Sequence, residues 1–222
     1  MNEQITVSQL FACETDYIKP LINRYEYPWE ILPHIKGYIQ GLIEAGLEGY
    51  TLLKEGVLVG QNVRIYDNTV IEAPAIIGSG TQIRPGAFLR GSVITGENCV
   101  IGNSTELKNC ILLNKVEVPH YNYVGDSILG NRAHMGAGSV CSNLKSGGAN
   151  VVIHADTPIP TGMRKVGGFL GDYADVGCGC VLNPGTVIGK RTTVYPLTPL
   201  RGIYPANSIV KAQKTVVARE ER

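Results

Sequence analysis

Aliphatic side chains recur every six residues along most of this chain. Stepping from Val59 meets Ile65, Ile71, Ile77, Ile83, Leu89, Thr95, Ile101, Leu107 and Leu113, all but one of them Val, Ile or Leu. Four residues after each anchor the position is nearly always small or β-branched, as at Val63, Ala75, Ala87, Cys99 and Thr105. Glycine often follows the anchor directly: Gly60, Gly78, Gly96 and Gly102. The phase slips near 120–124 and returns as Leu170, Val176, Leu182, Ile188 and Val194. A period of six fits neither the 3.6 of a helix nor the 2 of an alternating strand. It fits a short strand plus a turn, repeated. Three such units close a triangular coil with an aliphatic side chain inside each face and a small one at each corner. Consecutive coils pair their strands in parallel, about 4.8 Å apart. A β-sandwich with chance alternation does not produce a run of hexads in one phase.

The repeat divides the chain. Residues 57–205 form the coil, 1–56 precede it and 206–222 are a C-terminal tail. In the first segment, Tyr27-Pro28-Trp29-Glu30 opens a helical pattern through Ile31, Ile35, Ile39, Leu42 and Ile43, ended by Gly46. This predicts a helical N-terminal extension packed on the first coil. Residues 144–169 break the repeat. Gly147-Gly148 and Thr157-Pro158-Ile159-Pro160 bracket a strand-like Val151-Val152-Ile153, which predicts a projecting loop or hairpin. The fold class is all-β, a parallel β-helix with a small helical N-terminal extension.

Composition narrows the function. The 222 residues include 27 glycines but only 3 Phe and 1 Trp, as a narrow interior requires. Twenty basic residues against 19 acidic ones give a net charge of +1, which argues against nucleic acid as a partner. No apolar run approaches the roughly 18 residues of a membrane span, and the N-terminus lacks the basic and apolar regions of a signal peptide. A cytoplasmic location is expected. The six cysteines form no CxxC pair, and Cys178-Gly179-Cys180 reads as small residues in a tight interior rather than a metal or redox site.

A coil of three hexads stacks each residue on the one three hexads later. Arg90 and Lys108 then lie one above the other, and Arg84, Gly102 and His120 do so on the neighbouring face if the phase survives to 120. Stacked cations disfavour each other unless an anion neutralises them, and phosphate is the natural candidate. The alternative pairs Arg90 with Glu72, one coil earlier, and leaves Lys108 solvated. His120 is a candidate general base, because imidazole titrates near neutrality. No close histidine pair exists, so no metal is expected.

The coil resembles the hexapeptide-repeat acyltransferases, which implies a left-handed β-helix. The motifs Arg84-Pro85-Gly86-Ala87, Glu106-Leu107-Lys108, His120-x-x-Tyr123-x-Gly125-Asp126 and Gly136-Ala137-Gly138-(x)4-Asn143 occur in one order and spacing. Together they resemble the acetyltransferase domain of the bifunctional glucosamine-1-phosphate acetyltransferase/N-acetylglucosamine-1-phosphate uridyltransferases. The stretch from Gly162-Met163-Arg164-Lys165 to Gly171 is similar to the archaeal-type sugar-1-phosphate enzymes. The resemblance covers roughly residues 57–200.

It implies acetyl-CoA-dependent N-acetylation of an amino-sugar phosphate, most simply glucosamine-1-phosphate. Arg84 and Lys108 would bind the phosphate, and Tyr123 the sugar. His120 would be the base and Asn143 would hold the acyl donor near the reacting groups. Ala137 would give main-chain contacts to the coenzyme, in a groove between subunits of a homotrimer. His134 stands at a sugar-contacting position that is asparagine in the bacterial enzymes. The lysine found six residues after Asn143 in that family is Ala149 here, with Lys145, Arg164 and Lys165 as possible substitutes. Residues 1–56 hold no Gly-x-Gly-Thr-Arg loop, so no nucleotidyltransferase activity is expected of this chain. A second expectation is a non-catalytic β-helix that binds a sugar phosphate or nucleotide and regulates or scaffolds a separate nucleotidyltransferase.

Overall fold

A computed structural model of the chain describes residues 5–211 and 215–218. Short parallel strands stack into a three-sided coil. The first side carries Val70–Glu72, Phe88–Arg90, Val140–Cys141, Val181–Leu182 and Pro199–Leu200. The second carries Val57–Val59, Ala75–Ile77, Val93–Thr95, Gly168–Leu170, Thr186–Ile188 and Ile203–Tyr204. Two longer strands, Glu106–Leu112 and Tyr123–Leu129, turn the corner and serve both. The third side runs from Arg64–Ile65 through Gln82–Ile83, Val100–Asn103, Glu117–His120, His134–Met135, Asp175–Val176 and Thr193–Val194 to Ser208–Lys211. This last strand lies beyond residue 205, where the repeat pattern ended the coil.

The six-residue period sets the core. Leu89, Leu107, Val124, Cys141, Leu182 and Leu200 form a fully buried column inside the first side. Corners this tight drive residues into the left-handed region. At the corner between the third and first sides these are Asn68, Gly86, Ser104, Tyr121, Gly138, Gly179 and Leu197. Four of these seven are not glycine, so the register of the coil, not local preference alone, holds them there.

The coil changes pitch earlier than the sequence pattern shows. Phe88 pairs with Glu106, three full hexads on, whereas Glu106 pairs with Tyr123 and Val93 with Cys110, each one position short of that. One residue is missing at the corner of Lys108-Asn109-Cys110, where Arg90-Gly91-Ser92-Val93 has one more. Cys110 therefore points inward, and Ile111 faces outward into a second apolar cluster.

That cluster explains the N-terminal residues. The helices Val7–Leu10, Lys19–Ile22, Pro28–Ile31 and Ile35–Ala45 cover the outer face of the second side. Their Leu10, Ile18, Leu21, Trp29, Ile35 and Ile39 pack with Ile76, Ile94, Ile111, Ile128, Phe169 and Val187 of the coil. The extension thus lies along several coils rather than capping the first. Pro33 sits in a 3-10 step, Leu32–His34, that interrupts the expected helix, and Gly46 ends it at φ 76°. Buried Asp172 ties the extension down: it accepts from the Ala12 N–H at 2.8 Å and from Asn131 N–H at 2.8 Å.

The excursion leaves the coil after Asn143 and rejoins it at Gly167–Gly168, where Gly167 N–H bonds to the Asp126 carbonyl. It is a hairpin of Val152–Ile153 against Ile159–Pro160, with Val151 and Ile153 buried beneath it. Around it, coil partners stand much further apart in sequence, as Val140 and Val181 do.

Candidate active site

The shortened corner builds a polar cluster. With one residue removed, Asn109 and Asp126 both adopt left-handed corners, at φ 48°, in successive coils. Asp126 is buried and its carboxylate accepts from Lys108 Nζ at 3.1 and 3.2 Å, from Asn109 Nδ2 at 2.8 Å and from Asn143 Nδ2 at 2.5 Å. Asn143 Nδ2 also reaches Tyr123 Oη at 3.1 Å. Tyr123 can lie across the first side because Gly125, stacked on Lys108, has no side chain. A Cβ there would collide with the Tyr123 hydroxyl and approach Asn143 Nδ2 to 2.8 Å. Burial pushes the Tyr123 phenol above its usual pKa, with the Asp126 and Glu106 charges adding to it. A cleft of about 580 Å³ opens over Asn109 and Asp126, walled by Leu32 and Pro33 of the extension and by Met163 and Lys165 of the excursion.

Three of the sequence-chosen residues, Lys108, Tyr123 and Asn143, therefore meet on one side of the coil. His120 lies at the opposite edge of that side, exposed, beyond the left-handed Tyr121. Its backbone N–H donates to Asn122 Oδ1 at 3.0 Å, and buried Asn122 is locked by bonds from Nδ2 to the carbonyls of Gly136 and Ser139, at 2.9 and 3.1 Å. Ala137 stacks on His120, as the Gly138 N–H bond to the His120 carbonyl requires. No side-chain contact joins His120 to the Lys108–Asp126 cluster among the described residues.

Two stacking expectations are corrected. His120 pairs with Asn103, and Pro119 takes the place above Gly102, because the coil there is one residue short of three hexads. Arg84 remains in the Gly102 column of the third side, apart from the Lys108 cluster. The stacked cations Arg90 and Lys108 are each neutralised within the chain. Arg90 bonds Glu106 at 2.6 Å instead of Glu72, which is in register with it, and Lys108 pairs with Asp126.

His134 has a partner that the sequence reading missed. Its Nδ1 lies 2.8 Å from Asp175 Oδ1, in the next coil, and this carboxylate holds the imidazole above its ordinary pKa. Asp126 and Asp175 were both legible only through register. Asp126 closes the motif His120-x-x-Tyr123-x-Gly125-Asp126, which by itself gives it no role, and the whole excursion separates Asp175 from its partner along the chain. Among the described residues no group of three or more His, Cys, Asp and Glu side chains is placed to hold a metal ion. No described helix is long and apolar enough to cross a membrane.

The chain is similar to known proteins. The bifunctional sugar-1-phosphate nucleotidylyltransferase/acetyltransferase of Sulfurisphaera tokodaii is 31% identical over 182 residues, covering 76% of this chain and 43% of the relative. The bifunctional protein GlmU of Methanococcus aeolicus is 29% identical over 194 residues, 79% of this chain and 47% of the relative. The chain is related to the acetyltransferase region of these bifunctional proteins. It spans less than half the length of the curated relatives it matches. Residues 71–163 match the family described as GMPPB C-terminal domain. The UDP-N-acetylglucosamine acyltransferase structure from Campylobacter jejuni shares the fold, with a TM-score of 0.50 at 13% identity over 74% of this chain and 71% of that one. The hexapeptide-repeat, left-handed β-helix that the sequence implied is thus the fold of this chain.

Proposed function

We propose that this chain is an acetyltransferase that moves the acetyl group of acetyl-CoA to the amine of an amino-sugar phosphate such as glucosamine-1-phosphate. The observation that carries the reading is the Tyr123–Asn143–Asp126–Lys108 network on the first side, with the exposed His120 at the opposite edge of that side. The acceptor sugar lies against the Tyr123 side chain, which packs over Gly125. His120 takes the proton that the amine loses as it attacks the thioester carbonyl. The C–S bond then breaks to expel the coenzyme A thiolate, which receives that proton as His120 returns to its neutral form. Asn143, fixed by Tyr123 and Asp126, positions the acyl donor, and Ala137 offers main-chain groups to the coenzyme. Arg84 and His134, on the third side, reach substrate only where a neighbouring subunit closes the groove. The N-terminal extension covers the second side, so a homotrimer has the first and third sides for its contacts. Tyr121, Tyr195 and Leu197 are exposed between those two sides. Lys108, already paired with Asp126, exerts a weakened pull on a substrate phosphate.

Thiol release from acetyl-CoA, followed with a panel of amino sugars and their phosphates, tests the reading. Transfer to a phosphorylated amino sugar supports it. Absence of transfer to every member, with saturable binding of a sugar phosphate or nucleotide, supports the second reading: a coil that regulates or scaffolds a separate nucleotidyltransferase. The neutralised Arg90 and Lys108 favour that alternative.

A further inference from the structure

We propose that a second pocket, beneath the excursion and next to Asn143, is a phosphate-binding site. Three separate segments supply it. Ser142, Asn183 and Arg201 project from successive coils of the first side, Lys145 and Ser146 come from the start of the excursion, and His154 from its hairpin. The cavity is about 310 Å³, enough for a phosphate or diphosphate group, and no carboxylate is among its described lining residues. In that it differs from the surroundings of three other cations of the coil. Arg90, Lys108 and Lys190 each sit against a carboxylate, of Glu106, Asp126 and Asp172 respectively.

The basic groups are held together by the fold. Arg201 Nη2 lies 2.9 Å from His154 Nε2. The guanidinium can only donate, so Nε2 is the acceptor of this bond. Gly202, at φ 91°, lets the hairpin approach: a Cβ there would come within 3.2 Å of the His154 carbonyl oxygen. Lys145 Nζ spends one of its three donors on the Asn150 carbonyl at 2.9 Å, which fixes the ammonium at the rim. Two cationic side chains and two serines thus line one cavity. That donor set suits the three acceptor oxygens of a phosphate, and the guanidinium fork can engage two of them at once.

Either substrate of the proposed reaction brings such a group: the sugar phosphate, or the nucleotide end of coenzyme A. Titration calorimetry on the full chain separates them, using coenzyme A, 3′-dephospho-coenzyme A, glucosamine-1-phosphate and glucosamine as probes. Arg201→Ala is expected to weaken the phosphate-bearing ligand about tenfold to a hundredfold, as loss of a charge-assisted contact does, and Arg201→Lys to weaken it less. Lys145→Ala should act in the same direction. A loss confined to coenzyme A and absent for its dephospho form assigns the pocket to the 3′-phosphate. Equal losses for those two assign it to the diphosphate, and a loss confined to glucosamine-1-phosphate assigns it to the acceptor. Binding is read directly, so a chain that transfers no acetyl group still gives the answer. Folded variants, by their unchanged melting curves, with wild-type affinity for every probe would overturn the assignment. So would a wild type that binds none of the phosphate probes.

Discussion

Asp126→Asn removes one charge and almost nothing else. Asparagine has the same shape, and it tolerates the left-handed backbone that residue 126 adopts at φ 48°. The side chain of Asp126 is 6% exposed and that of Lys108 26%. Losing the carboxylate leaves a partly buried ammonium without its counter-ion, and the amide must turn an N–H toward Asn109 or Asn143, both of which are donating. Breaking a fully buried pair costs about 3–5 kcal/mol. Partial hydration of Lys108 reduces this to about 2–4 kcal/mol. In a chain of this length that lowers the melting temperature by roughly 4–16 °C. Calorimetry of the wild type, Asp126→Asn, Lys108→Met and the double variant measures it. The double variant should be more stable than Asp126→Asn alone, because the unpaired cation is gone. If Asp126→Asn melts within a degree of wild type, the cluster is not held by that charge.

Other perturbations follow from the same geometry. Asp172→Ala strips acceptors from Ala12 and Asn131, so limited proteolysis should cut the N-terminal extension well before the coil. Gly125→Ala forces the Tyr123 ring off Asn143; acetyl transfer should fall about tenfold while circular dichroism stays unchanged. His134, raised by Asp175, binds a proton more tightly when folded. Its stabilising contribution is therefore complete below pH 6.5 and lost as pH rises through the raised folded value. Denaturation midpoints should fall over that window in wild type, and Asp175→Asn should flatten the dependence.

The coil was legible because a six-residue period has a single structural meaning over so many repeats, and the period ran through the buried column from Leu89 to Leu107. It failed at one deleted residue. Leu113 still looked in phase, since an aliphatic side chain also suits the corner beneath the extension. That same deletion misplaced His120 against Gly102 and hid Asp126, whose role depends on lying directly over Asn109. Lys108, Tyr123 and Asn143 were readable as a set through resemblance to a family. Their common partner was not, and neither was the pocket at Arg201, which exists only because the hairpin folds back on the coil.

The central claim, acetyl transfer with His120 as the base, is tested most directly by steady-state kinetics of His120→Ala with acetyl-CoA and glucosamine-1-phosphate. The backbone bond from His120 N–H to Asn122 survives the substitution and the side chain is exposed, so the fold should be retained. The expected result is a fall in kcat of about a hundredfold to ten-thousandfold, with little change in the binding of either substrate. A folded variant that keeps near-wild-type kcat would contradict it.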